Sequence, residues 1–187
     1  IDGADCRKAI VPTQWADVIP ANKALAGATV EMIGIDHREY LLKNALEPFR
    51  EEYDYIFIDC PAGLGPGFQL ATCAADRCVV VTTADASSLR DAQHTVMELD
   101  RFPSGALHLV VNRVRKKLLR QLHATIDDAI DKAGLPLLGV VPEDDALPLC
   151  MNRGVPILLA DGQSAATAYR NIAKRLQGER VPLLRIR

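Results

Sequence analysis

Short apolar runs alternate along this chain with longer stretches of helical period, and that alternation limits the fold more than any other feature. The strand-length runs are Ala16–Pro20, Tyr55–Asp59, Cys78–Thr82, Leu107–Asn112 and Leu137–Val141, and most of them are apolar without an internal break. Such runs suit strands covered by helices on both faces, whereas half-exposed strands alternate polar and apolar residues. Helical segments are expected at Leu25–Ile33, Arg38–Arg50, Phe68–Ala74, Ser87–Arg101, Leu118–Ala133, Asp145–Asn152 and Gln163–Gln177. Ser87 is the expected N-cap of its helix, and Gly134 and Gly178 are expected stops. Short Pro/Gly loops separate the elements, and neither a repeat nor a linker divides the chain. The pattern predicts an α/β fold: one domain over residues 1–187, a doubly wound and mostly parallel sheet with helices on both faces.

Composition narrows the function classes. Aromatic residues make up 5% of the 187, too few for an aromatic-rich sandwich, while 49% apolar residues can build a buried core. The net charge of −2 conceals an asymmetry: residues 169–187 carry six Arg or Lys against one Glu, which leaves −7 on the remainder. The five cysteines (Cys6, Cys60, Cys73, Cys78 and Cys150) form neither a CxxC pair nor a zinc-type cluster, so they read as reduced cysteines of a cytoplasmic protein. No apolar run approaches the ~20 residues of a membrane-spanning helix. The chain opens on Ile1, and the expectation is a true N-terminus further upstream.

In an open parallel sheet, ligands sit beyond the carboxyl ends of the strands. The segment YDYIFIDCPAGLGPG, Tyr53–Gly67, places an aspartate there, Asp59, followed by a loop rich in Pro and Gly. A carboxylate at such a point can hold a Mg²⁺-bound water, and glycines let the following loop approach and release a γ-phosphate. An aspartate that merely begins a turn accounts for the short apolar run alone, but less well for the whole continuation.

That stretch resembles the Walker B and switch II region of the ParA/MinD/Soj ATPases, which carry DxPxG after an apolar strand. VIPANKALAGATVEM and HREYLLKNAL resemble ParA/Soj proteins, whereas ADASSLRDA, GVVPEDDALPLCMNRGVPILL and SAATAYRNIAKRLQGERVPL resemble MinD. The resemblance implies a P-loop NTPase fold that binds ATP and Mg²⁺, with Asp59 orienting a metal-bound water. It further implies that Pro61, Ala62, Gly63 and Gly65 belong to the γ-phosphate switch. Asn112 matches a residue presented to adenine, with a turn-capping asparagine as the plainer alternative. Pro142 and Glu143 match a loop passing over the base, although the acids of this stretch also suit helix N-caps. Ser88, Arg90 and Asp91 match a segment near the dimer face and partner surface, where an ordinary helix start is the competing account.

A P-loop requires GxxxxGK[ST], and no glycine of this chain is followed by lysine. The family's second lysine and its switch I aspartate also lack counterparts, so the chain alone is expected not to hydrolyse ATP. It is expected to be a fragment, missing its first strands, P-loop and switch I, of a cell-division or DNA-segregation ATPase. The alternative is a pseudo-ATPase scaffold that binds proteins. The intact protein is expected to form an ATP-dependent homodimer, to meet an activator protein, and to work in the cytoplasm or peripherally at the inner membrane. Its surface partner is either membrane or non-specific DNA. Arg113–Arg120 is a basic run better explained as a solvated helix start, and Arg180–Arg187 is too short for an interfacial helix. An iron–sulfur carrier of the Mrp type needs a CxxC that Cys73 and Cys78 do not supply.

Overall fold

A computed structural model describes residues 5–21, 27, 31–60, 63–160 and 164–184. They gather into two compact units, Ile1–Asp76 and Arg77–Arg187.

In the first unit, β1 (Val11–Pro12) pairs antiparallel with β2 (Asp17–Val18). The turn between them is built by Thr13, whose hydroxyl donates to the Ala16 carbonyl at 2.6 Å and accepts from the Ala16 N–H at 3.1 Å. The strand expected at Ala16–Pro20 is thereby reduced to a two-residue ladder in a hairpin. The helix expected at Leu25–Ile33 lies mostly outside the described residues, whose nearest element is a 3₁₀ turn at Met32–Gly34. The Arg38–Arg50 helix forms in pieces: a 3₁₀ turn at Arg38–Tyr40, α1 at Leu41–Leu46, and a second 3₁₀ turn at Glu47–Phe49 that contains Pro48. Proline lacks the N–H that would continue the α-helical ladder. Phe49 is buried and sits under the Arg7 guanidinium, which also grips Glu52 through two hydrogen bonds of 2.8 and 2.5 Å. The second helix of the unit, α2 (Pro66–Ala74), packs on α1.

The run Tyr55–Asp59, expected as a strand, joins no sheet among the described residues. An extended segment becomes a strand only when a neighbouring backbone takes up its N–H and C=O groups. Tyr55 and Phe57 instead stack on each other with centroids 6.3 Å apart, and Phe57 is 83% exposed.

The second unit holds a parallel sheet in the order β3 (Cys78–Thr82), β4 (Leu107–Val114), β5 (Leu137–Pro142). All three fall where the apolar runs place them. Leu109, Val110 and Val111 are consecutive and all buried, so both faces of β4 are covered. Val110 packs with Ala165, Ala166 and Ala168 of α7 (Ser164–Leu176). Leu109 and Val111 point the other way, towards the side where α3 (Ala86–Met97) and α5 (Ile126–Ala133) contact the sheet and each other. Gly139 lets α7 lie close on β5, because a Cβ there would stand 2.3 Å from Ile172 Cγ1.

Two helix expectations need correction. Leu118–Ala133 is two helices, α4 (Lys116–Gln121) and α5, because Thr125 begins a new one. Its hydroxyl accepts from the Asp128 N–H while the Asp128 carboxylate accepts from the Thr125 N–H at 2.7 Å, a reciprocal capping box. The Thr125 hydroxyl and N–H also hold the Asp128 carboxyl below its usual range. The other correction concerns α3, whose N-cap is Asp85 and not Ser87. The remaining helix, α6 (Ala146–Asn152), stands as expected.

Candidate nucleotide and partner site

Asp59 ends the Tyr55–Asp59 run as an exposed carboxylate and makes no hydrogen bond or ion pair among the described residues. Pro61 and Ala62 lie outside the described residues. Gly63 has φ +90°, a conformation strained for any residue with a Cβ, so the position suits glycine. Gly65 is the N-cap of α2, and Pro66 opens the helix, where its missing N–H costs nothing. The sequence thus yields a carboxylate, a left-handed glycine and a helix start in succession.

Asn112 stands in β4 where the pairing with β5 becomes irregular between Val111 and Val114. Its Oδ1 accepts from the N–H of Arg113 at 2.9 Å, and Arg113 takes φ +53°. The side-chain oxygen therefore supports a bulge, and the bulge turns Arg113 out of the strand. Arg113 and Arg115 converge on Glu143, at 3.1 and 3.2 Å. Glu143 follows Pro142, the last residue of β5, and its N–H donates to the Val114 carbonyl. Asn112, Pro142 and Glu143 thus lie together at the carboxyl edge of the sheet. The neighbouring Asp144 is a double cap: it accepts from the Ala146 N–H at 3.1 Å, the Ala165 N–H at 3.1 Å and the Ser164 hydroxyl at 3.2 Å. Burial alone would raise its carboxyl, but these donors hold it below the ordinary value.

Ser88, Arg90 and Asp91 do not share one environment. Arg90 and Asp91 are exposed on α3. Ser88 is drawn into a network in which its N–H donates to Asp85 at 3.0 Å and its hydroxyl at 2.8 Å, while Thr83 donates to Asp85 at 2.5 Å. The Ser88 N–H first, then the hydroxyls of Thr83 and Ser88, push the Asp85 carboxyl down to about 2. Asp85 is the residue that escapes notice in the sequence. The signal was the three-residue spacing from Asp85 to Ser88, which competes with Ser87 as a cap.

A cleft of about 210 Å³ opens beside this network, lined by Thr83, Asp85, Arg113, Arg115 and Glu143 together with leucines of and just after α4. At the opposite, amino edge of the sheet, His108 is pushed down by partial burial and then by the charges of Arg77 and Arg175. It lies on β4, within the run expected as a strand. No cluster of three or more His, Cys, Asp or Glu able to hold a metal occurs among the described residues. Mg²⁺ does not need one, because it keeps several waters and is held by one or two carboxylates plus phosphate oxygens. One exposed carboxylate at Asp59 fits that demand.

Comparison with known proteins decides the lineage. A family model described as an AAA domain matches residues 2–106. The septum site-determining protein MinD of Bacillus subtilis is 39% identical over 144 residues, 76% of this chain and 54% of that protein. The chain belongs to the ParA/MinD family of ATPases. It spans about half the length of the curated relatives it matches. Among solved structures, MinD in the MinC:MinD cell division complex of Aquifex aeolicus superposes with TM-score 0.76 at 30% identity, covering 98% of this chain and 73% of that one. MinD of Pyrococcus horikoshii, complexed with Mg-ADP, superposes with TM-score 0.74 at 24% identity, covering 92% and 69%. These neighbours fit the parallel three-stranded sheet and its helices, so the fold is that of an α/β P-loop NTPase.

Proposed function

We propose that this chain is part of an ATP- and Mg²⁺-dependent switch ATPase that takes part in the spatial organisation of cell division. The observation that carries the proposal is the exposed, unengaged Asp59 carboxylate, followed by the left-handed Gly63 turn and the α2 start at Gly65. In this reading the Asp59 carboxylate would accept a hydrogen bond from a metal-bound water, and the metal would supply charge neutralisation of the phosphates. Pro61, Ala62, Gly63 and Gly65 form the segment that changes shape with the γ-phosphate, Gly63 serving as a pivot. Asn112 and the Pro142–Glu143 loop face the base. The support is their common position at the carboxyl edge of the sheet, with Glu143 fixed by two arginines.

In this proposal the chain is part of a nucleotide-binding domain, and its own sequence holds no GxxxxGK[ST] loop. Val79 and Val81 of β3, exposed where the described sheet ends, support a further strand on that side of the sheet. The intact protein dimerises on ATP in the cytoplasm and presents Arg90 and Asp91 to its dimer mate or an activator. No helix among the described residues is long and apolar enough to cross a membrane.

The test is MgATP binding and turnover by the protein extended upstream, with and without Asp59→Ala. Retained nucleotide binding with turnover lowered about a hundredfold or more by the substitution supports the proposal. An extended protein that binds no nucleotide ends it and leaves the protein-binding scaffold.

A further inference from the structure

At the amino edge of the β3–β4–β5 sheet, away from the nucleotide edge, a histidine lies between two arginines. His108 belongs to the middle strand and pairs with Val79, two residues beyond Arg77. Val110 faces α7, so His108, two residues before it, faces the same side. On that side Arg175 of α7 donates through Nη2 to the Leu137 carbonyl at 3.1 Å and through Nη1 to the Val181 carbonyl at 2.8 Å. Leu137 pairs with Leu109, the neighbour of His108. Arg77 donates at 3.1 Å to the carbonyl of Leu176, the last residue of α7. These bonds hold a strap: residues 177–184 leave the end of α7 and return along it. Val181 is held by Arg175, the Pro182 carbonyl accepts from Asn171 at 3.4 Å, and Leu184 packs on the apolar cluster that α7 shares with β5.

The charges that bear on the ring are those of Arg77, from the start of β3, and Arg175, from α7. Cys78 follows Arg77 but alternates to the other face of β3, and β5 contributes Leu137, Leu138 and Gly139, none of which titrates. Asp76 is paired with Arg50. In and beside the strap, Lys174, Glu179 and Arg180 are exposed and form no ion pair among the described residues. His108 Nδ1 and Arg175 Nε are buried and have no hydrogen-bond partner among those residues. A proton added to the ring thus meets two like charges and no carboxylate. Burial and then the two guanidiniums hold His108 below its ordinary 6.5, so the neutral ring stabilises the fold. That contribution is whole above the unfolded value and is lost as pH falls below it. The backbone of β4 is fixed by a ladder on each side, whereas a few bonds hold the strap, so the strap gives way first. We propose that His108 is an acid-sensitive latch: its protonation sets a third cation between Arg77 and Arg175, loosens their hold on the backbone carbonyls, and releases residues 177–184 from α7. The latch goes beyond the ATPase proposal and involves no nucleotide.

The test is amide hydrogen exchange on the chain, corrected for intrinsic rates and read at Gln177, Gly178, Glu179 and Val181, whose N–H groups are bonded just after α7. Between about pH 7.5 and about pH 5 the wild type should lose about tenfold or more of its protection there, while Leu109 and Val111 of β4 keep theirs. His108→Asn should keep the strap closed at both pH values, and His108→Lys should leave it open at both. NMR titration of the ring should give a midpoint below 6.5 that rises in Arg77→Gln. Unchanged protection in acid, an equal loss in His108→Asn, or a loss shared by Leu109 and Val111 would each overturn the proposal. So would a ring midpoint that Arg77→Gln leaves in place. If His108→Lys does not fold, the wild type and His108→Asn decide the matter by the same criteria.

Discussion

The second unit and the first draw on similar apolar material and end in different states. Cys78–Thr82, Leu107–Val114 and Leu137–Pro142 pair in parallel register and bury Leu109 and Val111 completely. Tyr55–Asp59 is as apolar as any of them, yet it joins no ladder among the described residues and leaves Phe57 in water. An apolar run specifies that a segment can be a strand. Whether it becomes one depends on a second backbone to accept its hydrogen bonds and a helix to cover its side chains.

That contrast can be broken most forcefully at Leu109. Leu109→Ala removes a fully buried side chain and should cost about 2–5 kcal/mol in chemical denaturation. Gly139→Val is expected to follow at about 1–3 kcal/mol, since its Cβ would collide with Ile172 and push α7 off β5; thermal melting reads this directly. Third comes Asp85→Ala, which deletes the α3 cap and the carboxylate that accepts from Thr83 and Ser88, whose hydroxyls keep only their mutual hydrogen bond, at about 1 kcal/mol. Because the folded Asp85 carboxyl is depressed to about 2, its contribution is full above the unfolded value of about 3.9 and fades as pH falls towards 2. Acid titrations of the wild type should lose that increment in this window, and those of Asp85→Ala should not. At the small end, Phe57→Ser in the first unit should change stability by less than about 0.5 kcal/mol, because Phe57 is already exposed. A large loss there would mean that Tyr55–Asp59 is packed after all.

The three strands of the second unit were legible because continuous apolar runs flanked by Pro, Gly and polar loops are hard to satisfy in any other way. The breaks in helices were less so. The period of Leu118–Ala133 runs through Thr125, and only the reciprocal bonds of Thr125 and Asp128 stop it. Asp85 was hidden for the same reason: caps are chosen by backbone geometry among several adjacent candidates, here Asp85, Ser87 and Ser88. At the candidate site, Asp59, Gly63 and Gly65 were readable from their order in the chain. The grip of Arg113 and Arg115 on Glu143 was not, because it depends on a bulge that brings residues thirty positions apart together.

The central claim is that Tyr55–Asp59 is a strand in waiting that carries the Mg²⁺-binding carboxylate of an ATPase. Amide hydrogen exchange across Tyr55–Asp59 tests it most directly, comparing this chain with the protein extended upstream of Ile1 and given MgATP. The account predicts fast exchange in the chain and protection matching Val79–Thr82 in the extended, nucleotide-loaded protein. Fast exchange in both would contradict it.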